Sequence, residues 1–216
     1  MVHAATETSH VGTRHPGIPQ HPAPHPGVLR RIHDQPVGGT LASADRHWRL
    51  TMVRDLPHRV ERVWAMLTDP EQLARWSPVV PNRALTSTGP AHSGENPSEL
   101  SFDAEVLVAD APRELVHRWG AHLLRWTLDP TPQGCRLTLQ QELDRPGDPD
   151  APRGPVGPAR PAVFGAGWHV CLAVLTEILD ERGACAGAGA VERVVGRRSM
   201  DYGWRSLHDD YAQLLG

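Results

Sequence analysis

Alternating apolar and polar residues first appear in the segment HWRLTMVR (residues 47–54), where Trp48, Leu50 and Met52 alternate with more polar side chains. A period of two is typical of a strand with one buried face. The next segment, residues 56–76, changes to apolar spacings of three and four, which place these side chains on one side of a helix. The pattern therefore predicts an opening strand followed by two short helices.

The period of two returns after residue 100 and continues to residue 139, in at least three runs that are separated by turn residues. Short turns between such runs are typical of an antiparallel meander. Helical spacing then resumes in AGWHVCLAVLTEILDE (166–181), which has a wide apolar face, and again in 201–215. The element order predicts an α+β helix-grip fold, in which a curved antiparallel sheet wraps around a long C-terminal helix and leaves an apolar cavity.

Irregular composition marks three other segments. Residues 1–45 are rich in His and Pro and lack any period, so we predict a disordered tail and expect that a chain without residues 1–44 still folds. Residues 46–216 then form one domain. Within it, the Pro-rich stretch 145–161 is a candidate lid loop, and the Gly- and Ala-rich stretch 183–196 is predicted to be a flexible insertion.

The balance of charges excludes several classes of partner. The formal net charge is −3, which favours neither nucleic acid nor an anionic membrane. No apolar run reaches the length of a membrane span, so we expect no membrane insertion and a cytoplasmic protein. Three cysteines at wide spacings fit neither a disulfide framework nor a paired-cysteine zinc site, and we predict no metal and no cofactor.

Tryptophan is the most informative residue type, because the chain has seven Trp against two Tyr and two Phe. Large flat side chains on the sheet and the long helix suit an aromatic or polycyclic ligand, although they are equally explained by core packing. The predicted cavity residues are Trp76, Phe102, Trp119, Trp126, Trp168, Cys171, Leu172 and Leu175.

Three histidines are candidates for the polar rim of that cavity. His117 and His122 flank the predicted turn WGA, and His169 follows Trp168 on the long helix but lies about 100° away from its apolar face. No acid and base converge in the pattern, so we assign no catalytic residue.

Five segments together resemble a known family. They are LPHRVERVWAMLTDPEQLARW, APRELVHRWG, LRWTLDPTPQGCRLTLQQEL, GWHVCLAVLTEILD and WRSLHDDYAQLLG. They are similar to the SRPBCC superfamily, also called START-like or birch-pollen-allergen-like, and among its branches to the bacterial homologues of the heat-shock chaperone ATPase activator. The resemblance runs from Trp48 to the C-terminus and implies the helix-grip fold. Members of the superfamily include lipid carriers, polyketide aromatases and cyclases, chaperone activators, and proteins that protect antibiotic producers.

Three functions therefore stand at this point. The favoured one is a monomer or weak homodimer that binds an apolar, polycyclic or polyketide-like small molecule for carriage, sequestration or self-resistance. The first alternative is a polyketide cyclase or aromatase that acts by confining its substrate. The second alternative is a co-chaperone-like interaction protein.

Overall fold

The computed structural model describes residues 22–44, 47–94, 101–144, 161–181 and 191–215. Its helices are α1 (Pro26–Asp34), α2 (Val60–Thr68), α3 (Pro70–Leu73), α4 (Pro161–Glu181) and α5 (Trp204–Leu215), with a 3₁₀ helix at Gly196–Tyr202. Its strands are β1 (Thr40–Ala44), β2 (His47–Leu56), β3 (His92–Ser93), β4 (Phe102–Asp103), β5 (Val106–Asp110), β6 (Glu114–Trp119), β7 (His122–Thr131) and β8 (Gly134–Asp144).

Six strands form one antiparallel sheet in the order β1-β2-β8-β7-β6-β5, and β3 pairs with β4 separately. The buried side chains of neighbouring strands lie next to each other on one side of the sheet. Met52 on β2 and Trp126 on β7, for example, both lie opposite Leu139 on β8. The tight turn into β8 requires Gly134, whose φ is 153° and where a Cβ would lie 2.1 Å from the carbonyl oxygen of Leu56. The curved sheet packs against α4, which confirms the predicted α+β helix-grip fold.

The second short helix after β2, α3, begins where its sequence signals predict, whereas α2 begins at Val60, after the proline that was expected in its first turn. Pro70 occupies the first turn of α3, and the side chain of Asp69 accepts a hydrogen bond of 2.9 Å from the backbone N–H of Glu71. An aspartate cap of this kind satisfies a backbone donor that has no partner within the helix. The cap therefore fixes the start of α3 directly after α2.

Helix α4 is buried almost all round, with 15 of its 21 residues shielded from solvent. The sheet covers one side of the helix, whereas α1 and α5 cover the other. Among the described helices, α4 is the one that is long and apolar enough to cross a membrane. Its position explains this composition, because most of the apolar stretch is buried within the domain. A helix that is apolar on every face must be covered on every face.

The N-terminal expectation is wrong for residues 22–44, which belong to the folded domain. Helix α1 begins after His25, whose Nδ1 accepts from the backbone N–H of Val28, and the Val28 side chain is fully buried. The backbone N–H of His25 also donates to the hydroxyl of Tyr202 at 2.8 Å. Strand β1 extends the sheet by pairing with β2. Residues 1–21 lie outside the described part of the chain.

The N-terminal elements were missed because their stability comes from distant residues. Helix α1 is mostly polar, and its anchors include the ion pair between Arg31 and Glu177, 3.2 Å apart. Helix α1 has only nine residues, and tertiary packing provides most of the stability of so short a helix.

Two predicted loops fall largely outside the described residues. These are 145–160 of the candidate lid, with Pro161 beginning α4, and 183–190 of the Gly/Ala insertion. The remainder of the insertion is described, and Val191 and Val194 are buried in the core. Residues 191–196 are therefore packed against the domain.

Docking of α1 gives the first prediction. Val28→Ala should lower the free energy of unfolding by about 2 kcal/mol, because it removes two methyl groups from a fully buried position. The neighbouring Leu29 is 39% exposed, so Leu29→Ala is the matched control and should change stability by no more than about 0.5 kcal/mol. Urea unfolding monitored by circular dichroism measures both values. Equal, small effects would show that α1 is not docked in solution.

Candidate functional site

The interior between the sheet and α4 contains a continuous series of aromatic rings. Trp168 on α4 has its ring centroid 5.4 Å from that of Trp126 on β7 and 5.7 Å from that of Trp119 on β6. Trp126 in turn lies 5.9 Å from Trp76, which follows α3. All three pairs are edge-to-face, a favoured geometry for aromatic rings. Four predicted cavity residues are therefore in contact with one another.

The series ends at a partly exposed rim. Trp119 and His122, on either side of the β6–β7 turn, are half-buried, and both pack on Phe164 in the first turn of α4, with centroids 6.0 and 5.0 Å away. Phe102 is also half-buried and lies beside Gly120 of the same turn. These four residues, Phe102, Trp119, His122 and Phe164, are called the aromatic rim below. His122 thus lies beside Trp119 and Phe164.

Hydrogen bonds hold the three inner rings in place. The indole N–H of Trp76 donates to the carbonyl oxygen of Met66 at 3.0 Å, and that of Trp126 donates to Nε2 of His117 at 3.2 Å. The indole N–H of Trp168 donates to Oε1 of Gln141 at 2.7 Å. Because a buried N–H without a partner is costly, these bonds favour a single orientation for each ring.

His117 lies inside the domain and not at a rim, in contrast to the prediction. It is 3% exposed and shares the inward face of β6 with Leu115. Its Nε2 accepts from Trp126, so Nδ1 carries the proton and donates to the carbonyl oxygen of Arg118 at 3.0 Å. Burial lowers the pKa of His117 to about 4. The hydrogen bond to the Arg118 carbonyl raises this pKa, but by less than burial lowers it. The imidazole is therefore neutral at pH 7.

His169 is not a rim residue either, because it lies on the face of α4 that α1 and α5 cover. It is fully buried, and its Nε2 donates to the carbonyl oxygen of Ile32 at 3.1 Å while Nδ1 contacts the hydroxyl of Tyr211 at 3.1 Å. Burial lowers its pKa to about 4, and the positive charge of Arg54 adds to that effect. His169 connects three helices and does not reach the aromatic series.

The other predicted residues of α4 share one side of that helix with Trp168. Cys171, Leu172 and Leu175 follow it at spacings of three, four and seven residues, and all three are buried. Trp168 reaches Gln141 on β8, so this side of α4 faces the sheet. The structure therefore places these three residues along the same interior as the aromatic series.

Two inward-facing polar residues were missed by the sequence analysis. Gln141 lies on the buried face of β8 between Leu139 and Leu143, and Arg54 lies on the buried face of β2 between Met52 and Leu56. The same period of two that predicted the strands contained the signal, because each polar residue occupies a position where the pattern requires an apolar one. Arg54 Nε donates to Oε1 of Gln35 at 3.3 Å, so it supports the N-terminal segment.

The structure also presents a surface pocket of about 200 Å³, on the outer side of α2 and α3 near the end of α4. None of the predicted cavity residues lines it. Its lining residues are Arg62, Ala65, Met66, Asp69, Gln72, Arg75, Ile178 and Leu179. The predicted apolar interior, by contrast, is occupied in this conformation by aromatic side chains.

Within the described residues, no group of three or more His, Cys, Asp or Glu side chains could hold a metal ion. The His-rich segment 1–21 is not among those residues.

The family model for Activator of Hsp90 ATPase homolog 1-like proteins matches residues 57–180, which is more than half of the 216 residues. The chain belongs to this family. The match begins before α2 and ends within the last turn of α4, so it covers the aromatic series of this family member. No curated protein sequence matches the chain.

Solved structures share the fold at low sequence identity. A conserved protein of unknown function from Enterococcus faecalis is 15% identical, with a TM-score of 0.61, and the alignment covers 86% of this chain and 94% of that one. CalU16 from Micromonospora echinospora is 14% identical, with a TM-score of 0.53 and coverages of 82% and 95%. A protein from Mesorhizobium loti is 20% identical, with a TM-score of 0.50 and coverages of 62% and 97%. These likenesses extend to the fold alone.

Buried histidines make stability depend on pH. The pKa of His117 falls from 6.5 in the unfolded chain to about 4 in the folded one, so below pH 6.5 protons bind preferentially to the unfolded state. The stability contributed by neutral His117 is present above pH 6.5 and is lost as the pH falls towards 4. The variant His117→Gln keeps both a donor and an acceptor but does not titrate. The difference in free energy of unfolding between the parent and this variant should therefore shrink by about 2 kcal/mol when the pH falls from 7.5 to 5.

Urea unfolding at the two pH values measures this gap. His33 is 90% exposed at its side chain, and His33→Gln is the control for the same replacement at the protein surface. A gap for His117→Gln that stays constant with pH would contradict burial of that imidazole.

Proposed function

We propose that this domain binds an apolar, polycyclic or polyketide-like small molecule between the sheet and α4, for carriage, sequestration or self-resistance in secondary metabolism. The observation that supports the proposal is the aromatic series that leads from the half-buried rim at Trp119 to fully buried Trp76. A ligand that enters at the aromatic rim would meet a ring at each step inward. We further propose that the domain acts as a monomer or weak homodimer.

Binding requires the rings to part, and the energy of that step is moderate. Each edge-to-face pair contributes about 0.5 to 1.5 kcal/mol beyond area burial. A planar ligand that replaces one ring contact with another recovers much of this energy, which an aliphatic ligand would not. The aromatic series therefore favours a flat ligand with several rings over a flexible acyl chain.

The interior favours binding over acid–base chemistry. His117 is a titratable side chain that bonds to the inner ring of Trp126, and both of its ring nitrogens have hydrogen-bond partners. Its pKa of about 4 keeps it neutral at pH 7, so it is a poor proton donor. A cyclase or aromatase would therefore have to act by confining its substrate, which is the alternative that the same interior supports.

Substitution at the aromatic rim tests the proposal. Trp119→Ala should weaken binding of the polycyclic probes fluorene, 9-fluorenone and emodin by about 1 to 2 kcal/mol, because it removes the first ring that a ligand meets. Trp204 is also half-buried but stacks on His208 of α5, so Trp204→Ala is the matched control and should leave affinity unchanged. Isothermal titration calorimetry at a temperature where both variants remain folded provides the dissociation constants.

Two results would contradict the proposal. Equal affinities for the Trp119→Ala and Trp204→Ala variants would mean that probes bind elsewhere, for example in the surface pocket beside α2. No binding of any probe to the parent protein would leave the tryptophans as core residues, and would favour the co-chaperone-like alternative instead.

A further inference from the structure

Gln141 is a polar residue at the centre of the apolar interior. It lies on β8, directly opposite Leu50 of β2 and Leu124 of β7, and its side chain is fully buried. Across the interior it meets Trp168 of α4, the ring at the middle of the aromatic series. A buried amide in such surroundings is costly unless its donors and acceptor are used.

The hydrogen bond to Trp168 determines which way the amide faces. An indole N–H can only donate, so the group within 2.7 Å of it must be the amide oxygen of Gln141. The amide nitrogen, with its two N–H donors, is consequently directed elsewhere. It is buried and has no hydrogen-bond partner among the residues that the structure describes.

Neighbouring polar side chains do not satisfy these donors. The indole N–H groups of Trp126 and Trp168 are donors themselves and cannot accept from an amide, and the two ring nitrogens of His117 already bond to Trp126 and to the carbonyl oxygen of Arg118. Gln141 therefore supplies the interior with donors that an entering molecule can use, at a point where the walls are aromatic.

We infer that the Gln141 amide is the polar anchor of the binding site, and that the ligand is a flat polycyclic molecule carrying a ketone or quinone oxygen. This inference rests on the proposed function and adds the ligand's chemical class. A carbonyl oxygen accepts from the amide N–H of Gln141 while the attached rings pack on Trp168. A hydrocarbon of the same shape obtains the ring contacts only, and leaves the donors unsatisfied.

A matched pair of probes tests the anchor. Fluorene and 9-fluorenone have the same tricyclic shape and differ at one carbon, which is a methylene in the first and a carbonyl in the second. Gln141→Met keeps the length of the side chain and removes the amide. Leu139→Met, at the preceding inward position of β8, is the control. Dissociation constants of both probes are measured for the parent and for each folded variant.

The informative quantity is the ratio of the two dissociation constants, fluorene to 9-fluorenone, because differences in probe solubility cancel when variants are compared. Gln141→Met should lower this ratio by about five- to tenfold, the loss expected for one buried hydrogen bond. Leu139→Met should leave the ratio unchanged. A second readout is the side-chain amide signal of Gln141 in ¹⁵N NMR spectra, assigned by its loss in Gln141→Met, which should shift with 9-fluorenone and not with fluorene.

Three other outcomes overturn the anchor, and one of them also overturns the proposed function. Binding of both probes with the same ratio in the parent and Gln141→Met would overturn the anchor and leave the proposed function intact. If the magnetisation transfer between water and the Gln141 amide is the same with and without bound 9-fluorenone, the amide is hydrated and does not bind the ligand. This result also overturns the anchor. No binding of either probe to the parent overturns the proposed function and the anchor together.

Discussion

Burial of α4 on all sides is the constraint on which the rest of the structure depends. The helix carries apolar residues around its whole circumference, so the sheet alone cannot cover it. Coverage of its second face comes from α1 and α5, the two ends of the described chain. The requirement to bury one helix thus draws the N-terminal segment into the domain and brings it next to the C-terminal helix.

The two faces of α4 carry different chemistry as a result. On the outer face, His169 connects Ile32 of α1 with Tyr211 of α5, so its buried polar groups serve to join elements. On the face towards the sheet, Trp168 joins an aromatic series that reaches the half-buried rim. Adjacent residues of one helix therefore have unrelated roles, because a helix turns by about 100° per residue.

The buried polar side chains on the sheet, Arg54, His117 and Gln141, each form at least one hydrogen bond to another side chain. Arg54 reaches Gln35, and His117 bonds to Trp126, so each fixes an element that the apolar contacts alone would leave free to shift. The amide oxygen of Gln141 is used and its nitrogen is not. Nη2 of Arg54 is likewise buried without a partner among the described residues, but Gln141 differs in its place, because it bonds to Trp168 of the aromatic series. A family fold shared at 15% identity does not specify such details, so the proposed function is argued from these side chains and not from the architecture.

The sequence by itself determined the strands β2 and β5 to β8, the helices α2 to α5 and the helix-grip architecture, because periods of two and of 3.6 are local and direct. It also identified the tryptophans that form the aromatic series. Only the tertiary structure decided that residues 26–34 form a docked helix, since its anchors, Tyr202 and Glu177, lie more than 140 residues away. The same holds for the histidines. His117 lies on a strand and His169 on a helix, and the burial of each depends on which elements lie across from it, which no local period records.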